Sequence, residues 1–377
     1  MPHKRVLVPL LLAAALPLAL ATPAEAAAPR VTITELPALA GGTARVVGLN
    51  DNGEVAGTNS GSTGSRAVLW NGGAPVDLGR GNATAISARG QVLSLESMTS
   101  GGTYQQHPRI WHAGTTTNLA PSGSGWVIAN AINATGDVPI TYSRSPYGYH
   151  QEAAAVWKTD HHVGLSVSGP HLSISVITDN GLTAGTQLPM FGDDKNAFRC
   201  QETSCTRLAA APGTGPYAVV AANESGVIVG NRDNRPLRWQ GDAVTVLPGG
   251  VGAVASSQQA VNERGHVVGW TQDASGVRRA TVWRGGRQVV LNVPGPSEAL
   301  AINDKGDIIG YSSASGQQRA FLWRNGRAVE LGTLGGTHSV PVAINNNGVV
   351  IGHSTTADGS SRAVKWTVRK SRSATTG

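Results

Sequence analysis

The 377 residues carry only 14% charged side chains, with 49 glycines and 9 tryptophans. That strand-and-turn composition excludes a helical bundle, a coiled coil and a highly charged disordered chain. The net charge of +7 is thinly spread, with no long basic run ahead of Arg369, Lys370 and Arg372, so nothing specifically indicates nucleic acid.

At the start, Lys4 and Arg5 precede an apolar stretch from Val6 to about Ala21, then Ala24-Glu25-Ala26. This pattern predicts a secretory signal peptide over residues 1–26 with a small-x-small cleavage site. Pro9 and Pro17 interrupt the stretch, and it falls short of the roughly 20 clean residues of a membrane span. The expected product is secreted, with no membrane span after cleavage and a net charge reduced from +7 to +6. Its positive charge suits an anionic cell-wall polymer or acidic glycan, and equally plain solubility.

Next comes Val31-Thr-Ile-Thr-Glu-Leu36, a strand with no partner nearby, and then a passage that repeats. Each copy opens with a turn of the form Asn-x-x-Gly or a close variant, closed by Gly53, Gly90, Gly136, Gly181, Gly226, Gly265, Gly306 and Gly348. These glycines are separated by 37, 46, 45, 45, 39, 41 and 42 residues. An Asn side chain bonds such a turn's backbone and Gly takes its positive φ, so the recurrent Asn reads as structural.

An aliphatic run follows each turn, commonly ending in Gly, as in Val267-Val268-Gly269. A strand ending in Trp comes next, at Trp70, Trp111, Trp157, Trp239, Trp283, Trp323 and Trp366, with Cys200 in that place in the fourth copy. A tight turn and a strand ending near Leu complete the unit.

Four short strands with apolar side chains on both faces cannot bury themselves alone, whereas blades packed around an axis can. The predicted fold is all-β, an eight-bladed β-propeller over residues 29–369, with 370–377 a flexible basic tail. The last unit lacks its Leu-ending strand, and residues 31–36 are the natural replacement, closing the ring. A seven-bladed ring that omits the aberrant fourth unit is the alternative. Cys200 and Cys205 flank a hairpin turn in that unit, and in an exported chain they are expected to form a disulfide.

The strings Ala-Ile-Asn-x-x-Gly, Arg319-Ala320-Phe321-Leu322-Trp323 and Leu331-Gly332-Thr333-Leu334-Gly335-Gly336 resemble the HAF repeats of bacterial extracellular repeat proteins. The resemblance spans essentially the whole mature chain and implies architecture and an extracellular setting, with no catalytic residues to carry over. The place of the family's His holds Arg66, His107, Ala153, Asn196, Arg235, Arg279, Arg319 and Arg362. Five equivalent arginines suggest either an anion-binding ring or hydrogen bonds to a neighbouring blade's carbonyls.

In a propeller the short Asn-x-x-Gly and Trp-x-x-Gly turns share one face, and the loops of unequal length share the other, where binding is expected. Aromatic residues collect there in blades two to four. Tyr104, Trp126, Tyr142, Tyr147 and Tyr149, with His150, form the candidate ligand-binding set. The alternative is that they pin long loops to the blades.

His150, His161, His162 and His171 lack metal-ligand spacing, and no metal or other cofactor is expected. No nucleophile elbow, HExxH or phosphate-binding loop occurs. The expected function is that of a monomeric, non-catalytic propeller binding a surface glycan, wall polymer or protein. The alternative is a secreted hydrolase or lyase acting on a polysaccharide or peptide in the central channel.

Overall fold

The computed structural model describes residues 30–100, 103–144, 152–169, 171–187 and 196–369. Among these, 32 strands form eight antiparallel sheets of four strands each, with no helix. Residues 31–368 make one compact unit. The chain is therefore an eight-bladed propeller, and the aberrant fourth unit takes its place in the ring. In chain order the blades cover residues 42–80, 82–118, 127–168, 172–207, 218–246, 252–290, 297–330 and 335–369. The last blade takes its fourth strand, Arg30–Glu35, from the start of the chain, as the unpartnered strand foretold. No helix of the described residues is long and apolar enough to cross a membrane.

The repeated glycine of the second strand has a steric cause. In most blades the innermost strand carries a β-bulge opposite it, for example between Val46 and Gly48 or between Ala299 and Ala301. The bulge drives a carbonyl toward the second strand. A Cβ on Gly310 would lie 2.0 Å from Glu298 O and 2.6 Å from the Phe321 ring, so no side chain fits.

The tryptophans of the third strand fill the seams. Trp70, Trp239, Trp283 and Trp366 are almost wholly buried. The indole N–H of Trp70, Trp239 and Trp283 donates to Pro37 O, Ala209 O and Pro248 O of the connection entering the blade, at 2.7–2.9 Å. In the fourth blade Cys200 is fully buried and bonded to Cys205, its partner in register on the next strand. Phe198 reaches the glycine that a Trp ring covers elsewhere.

Candidate functional site: the central channel and its two faces

The Asn side chains of the turns do two jobs. Each Oδ1 accepts the N–H of the residue four positions on, as from Glu54, Asp307 and Val349 at 2.9–3.0 Å, which holds the turn. Each Nδ2 crosses to the next blade and donates to the carbonyl of the equivalent turn residue. The series runs Asn50 to Ser87, Asn133 to Thr178, Asn223 to Asn262, Asn262 to Asn303, Asn303 to Asn345, and Asn345 back to Asn50, at 2.9–3.2 Å. Where the turn has Ser87 or Thr178 the side chain is too short to span the seam. The sequence shows the first job; the second is visible only once the turns stand in a ring.

A second circle lies outside this one. Asp179 accepts the N–H of Ala134, Glu224 that of Asp179, Glu263 that of Glu224, Asp304 that of Glu263, and Asp51 that of Asn346. Five carboxylates thereby rim one mouth of the channel. Partial desolvation, with repulsion from Asp304, Glu224 and Asp179, raises the Glu263 carboxyl above its ordinary value against the opposing pull of the Glu224 N–H.

The channel is crossed by side chains from blade 6. In blade 6 the innermost strand leaves its course after Ala255 and resumes at Ala260, whose carbonyl accepts the Val268 N–H. The excursion, Ser256 to Gln259, projects into the channel. Gln258 Nε2 donates to Ser175 O in blade 4 at 2.6 Å. Gln259 Nε2 donates to Ile344 O in blade 8 at 2.7 Å, and its Oε1 accepts the Ile344 N–H at 3.1 Å. Blades 4 and 8 face each other across an eight-membered ring, so the two amides brace opposite walls. They leave a pit of about 370 Å³ on the turn side and one of about 420 Å³ on the other, both lined by Gln258 and Gln259.

On the variable-loop face, Trp126 is half-buried at the entrance to blade 3, and its carbonyl accepts the Ser143 N–H. Tyr142 stands opposite Val127 and packs against the apolar cluster between blades 2 and 3. Tyr104 lies on a described strand, opposite Thr99, with its side chain outside the described atoms. Tyr147, Tyr149 and His150 lie outside the described residues. Trp126 and Tyr142 are thus near neighbours on one blade, and the rest of the set is not placed.

The arginine positions do not converge. Arg66 pairs with Asp77 at 2.6 Å, Arg279 with Asp273 at 2.8 Å, Arg319 with Glu330 at 3.5 Å and Arg362 with Glu35 at 3.3 Å. Arg279 also donates to Gly295 O, in the connection to the next blade, at 2.9 Å. These four sit on third strands away from the axis and are neutralised locally, and Arg235 holds the same place on its strand, exposed. No group of three or more His, Cys, Asp or Glu side chains among the described residues is arranged to hold a metal ion.

Sequence reasoning missed a cluster at the seam of blades 6 and 7. The Arg278 guanidinium lies 4.2 Å over the half-exposed Trp270 ring and pairs with Glu298 of blade 7. Tyr311 hydrogen-bonds to the same carboxylate; burial, then the Glu298 charge, push its phenol up to about 12. In several other blades the equivalent residue is small and polar and locks the seam. Thr58, Thr141 and Asn231 each accept a backbone N–H from the next blade, namely those of Ala83, Ile174 and Val254. A Trp in that place was the available signal.

No protein-family model matches the chain, and no curated protein matches it either. Solved structures share the fold. The β-propeller domain of the trilobed protease from Pyrococcus furiosus has a TM-score of 0.52 at 10% identity, over 77% of this chain and 98% of that one. Dipeptidyl peptidase 4 from Porphyromonas gingivalis has a TM-score of 0.57 at 12% identity, over 86% of this chain and 57% of that one. The acylaminoacyl peptidase of Pyrococcus horikoshii has a TM-score of 0.50 at 10% identity, over 78% and 53%. The chain spans a little over half the length of those two peptidases. At such identities the likeness shows the propeller fold alone.

Proposed function

We propose that this chain is an exported, non-catalytic β-propeller that binds a surface glycan, cell-wall polymer or protein through its variable-loop face. The observation that carries the reading is the Gln258–Gln259 brace, which crosses the channel where a propeller's converging side chains would otherwise meet. On the turn face, most of the amides and acidic side chains already serve one another in two circles, the inner one interrupted at Ser87 and Thr178. The variable-loop face retains the half-exposed aromatics Trp126, Tyr142 and Trp270, suited to stacking on sugar or peptide. The Cys200–Cys205 bridge and the likeness to extracellular HAF repeats support an exported protein.

The test is a glycan and wall-polymer array probed with the purified mature protein, scored for retention and for released product. Retention without product, reduced at least tenfold in a Trp126→Ala, Trp270→Ala double variant that still melts cooperatively, is the expected result. The raised Glu263 carboxyl beside Asp304 favours a second reading, a hydrolase working at the turn-side mouth. Released product that vanishes in Glu263→Gln would move the function there.

A further inference from the structure

We propose that the pit on the variable-loop side of the Gln258–Gln259 brace is a binding site for the neutral, uncharged end of a glycan chain. The inference rests on the binding function above and names its ligand chemistry. The pit holds about 420 Å³, within the roughly 300–1,000 Å³ typical of small-molecule sites.

Its lining contains no charged side chain. The turn-side pit, which shares with it Gln258, Gln259 and apolar walls such as Ile132 and Ile177, is rimmed by five carboxylates. A charged ligand entering the neutral pit would shed its hydration with no counter-charge to meet it, whereas a neutral one would not. The walls are apolar, formed by Val47, Ile132, Ile177 and Val342. Between them stand only neutral donors and acceptors, the side chains of Thr84, Asn130, Ser256 and Gln258 among them.

Asn130, Ser256 and Gln258 are exposed to solvent, so the pit is reached from outside. Gln258 commits its Nε2 to Ser175 O and keeps Oε1 as an acceptor. A sugar ring has the complementary build, with apolar C–H faces and a rim of hydroxyls that both donate and accept. The innermost strands thereby supply walls and the blade 6 excursion supplies a floor, a pocket that no single repeat encodes.

The experiment is calorimetric titration of the full chain with chitotetraose, cellotetraose and maltotetraose. Tetragalacturonate, a chitosan tetramer and a neutral tetrapeptide are run beside them. The expected result is binding of at least one neutral tetrasaccharide, weakened tenfold or more by Asn130→Trp, which fills the pit. Ser256→Phe fills it from the floor and serves if the first variant does not melt cooperatively. Asp179→Asn and Glu224→Gln, on the other side of the brace, should leave the affinity unchanged.

Preference for a charged tetramer or the peptide would overturn the proposal, as would full affinity in both pit-filling variants. Glycan binding that survives pit filling but fails in the Trp126→Ala, Trp270→Ala variant would sink the pit and leave the loop-face function standing. No retention of any array member would sink both.

Discussion

Asn303 illustrates how a turn residue becomes a ring residue. Its Oδ1 holds the Asp307 N–H and its Nδ2 reaches Asn345 O in the next blade, both in a buried setting. Asn303→Ala removes both bonds, leaving the buried Asp307 amide without its partner and the Asn345 carbonyl with the Gly348 N–H alone. A loss of about 2–4 kcal/mol in urea unfolding is expected from roughly 1–2 kcal/mol for each such group. The converse change, Ser87→Asn, supplies the missing donor toward Asn133 O and should raise the midpoint by a few degrees.

Gly310→Ala places a methyl against Glu298 O and Phe321 and should cost about 3 kcal/mol or more, again read by urea unfolding. The turn-holding role of Asn was legible in the repeats, because a turn is a local object. The role across the seam was not, because its partner lies about one repeat period away. The placement of Trp270 and Tyr311 was hidden for the same reason, since the residues that give them meaning stand on another strand or blade.

At the scale of elements, the brace in blade 6 shows where repeat arithmetic is blind. The spacing from Gly226 to Gly265 is 39 residues, slightly shorter than the neighbouring spacings, although the innermost strand carries a four-residue excursion. Shorter connections elsewhere in the unit conceal it. Gln259→Ala removes both hydrogen bonds to the Ile344 backbone, and a loss of about 1–3 kcal/mol is expected by thermal or urea unfolding. An unchanged midpoint would mean the brace fills space without bearing on stability. The blades themselves were readable strand by strand, because strand, turn and bulge each leave a residue signature. The fourth blade was readable as an exception, with its disulfide standing where a Trp packs in others.

For the whole molecule, the seam between blades 8 and 1 is the informative one. His353 accepts the Val46 N–H through Nε2 at 3.2 Å, which requires the ring nitrogen to be unprotonated. Burial first, and then the charge of Arg45, lower its pKa from 6.5 to about 4. The unfolded chain therefore binds this proton more readily than the folded one. The contribution is complete above pH 6.5 and is lost as pH falls toward 4. A melting temperature that declines across that window in the wild type, with a shallower decline in His353→Gln, is the expected pattern. Equal slopes would remove His353 from the account. Eight blades and the borrowed strand were legible from the ends of the chain, whereas the pH sensitivity of the closing seam required knowing which blade His353 faces.

That seam also differs from the other seven in what must happen before it forms. Val46 and His353 are 307 residues apart, against about 40 for contacts between successive blades. Loop-closure entropy grows only with the logarithm of length, so the longer loop adds about 2 kcal/mol to the cost of joining. The kinetic consequence is larger, because so distant a pairing waits on all the local ones. The ring is therefore expected to complete itself at blade 8 last and to part there first. In hydrogen exchange, the Val46 amide should open ahead of its counterparts at the other seams, and the Leu36 amide, held by Ala363 O within blade 8, ahead of the equivalent amides of the other blades.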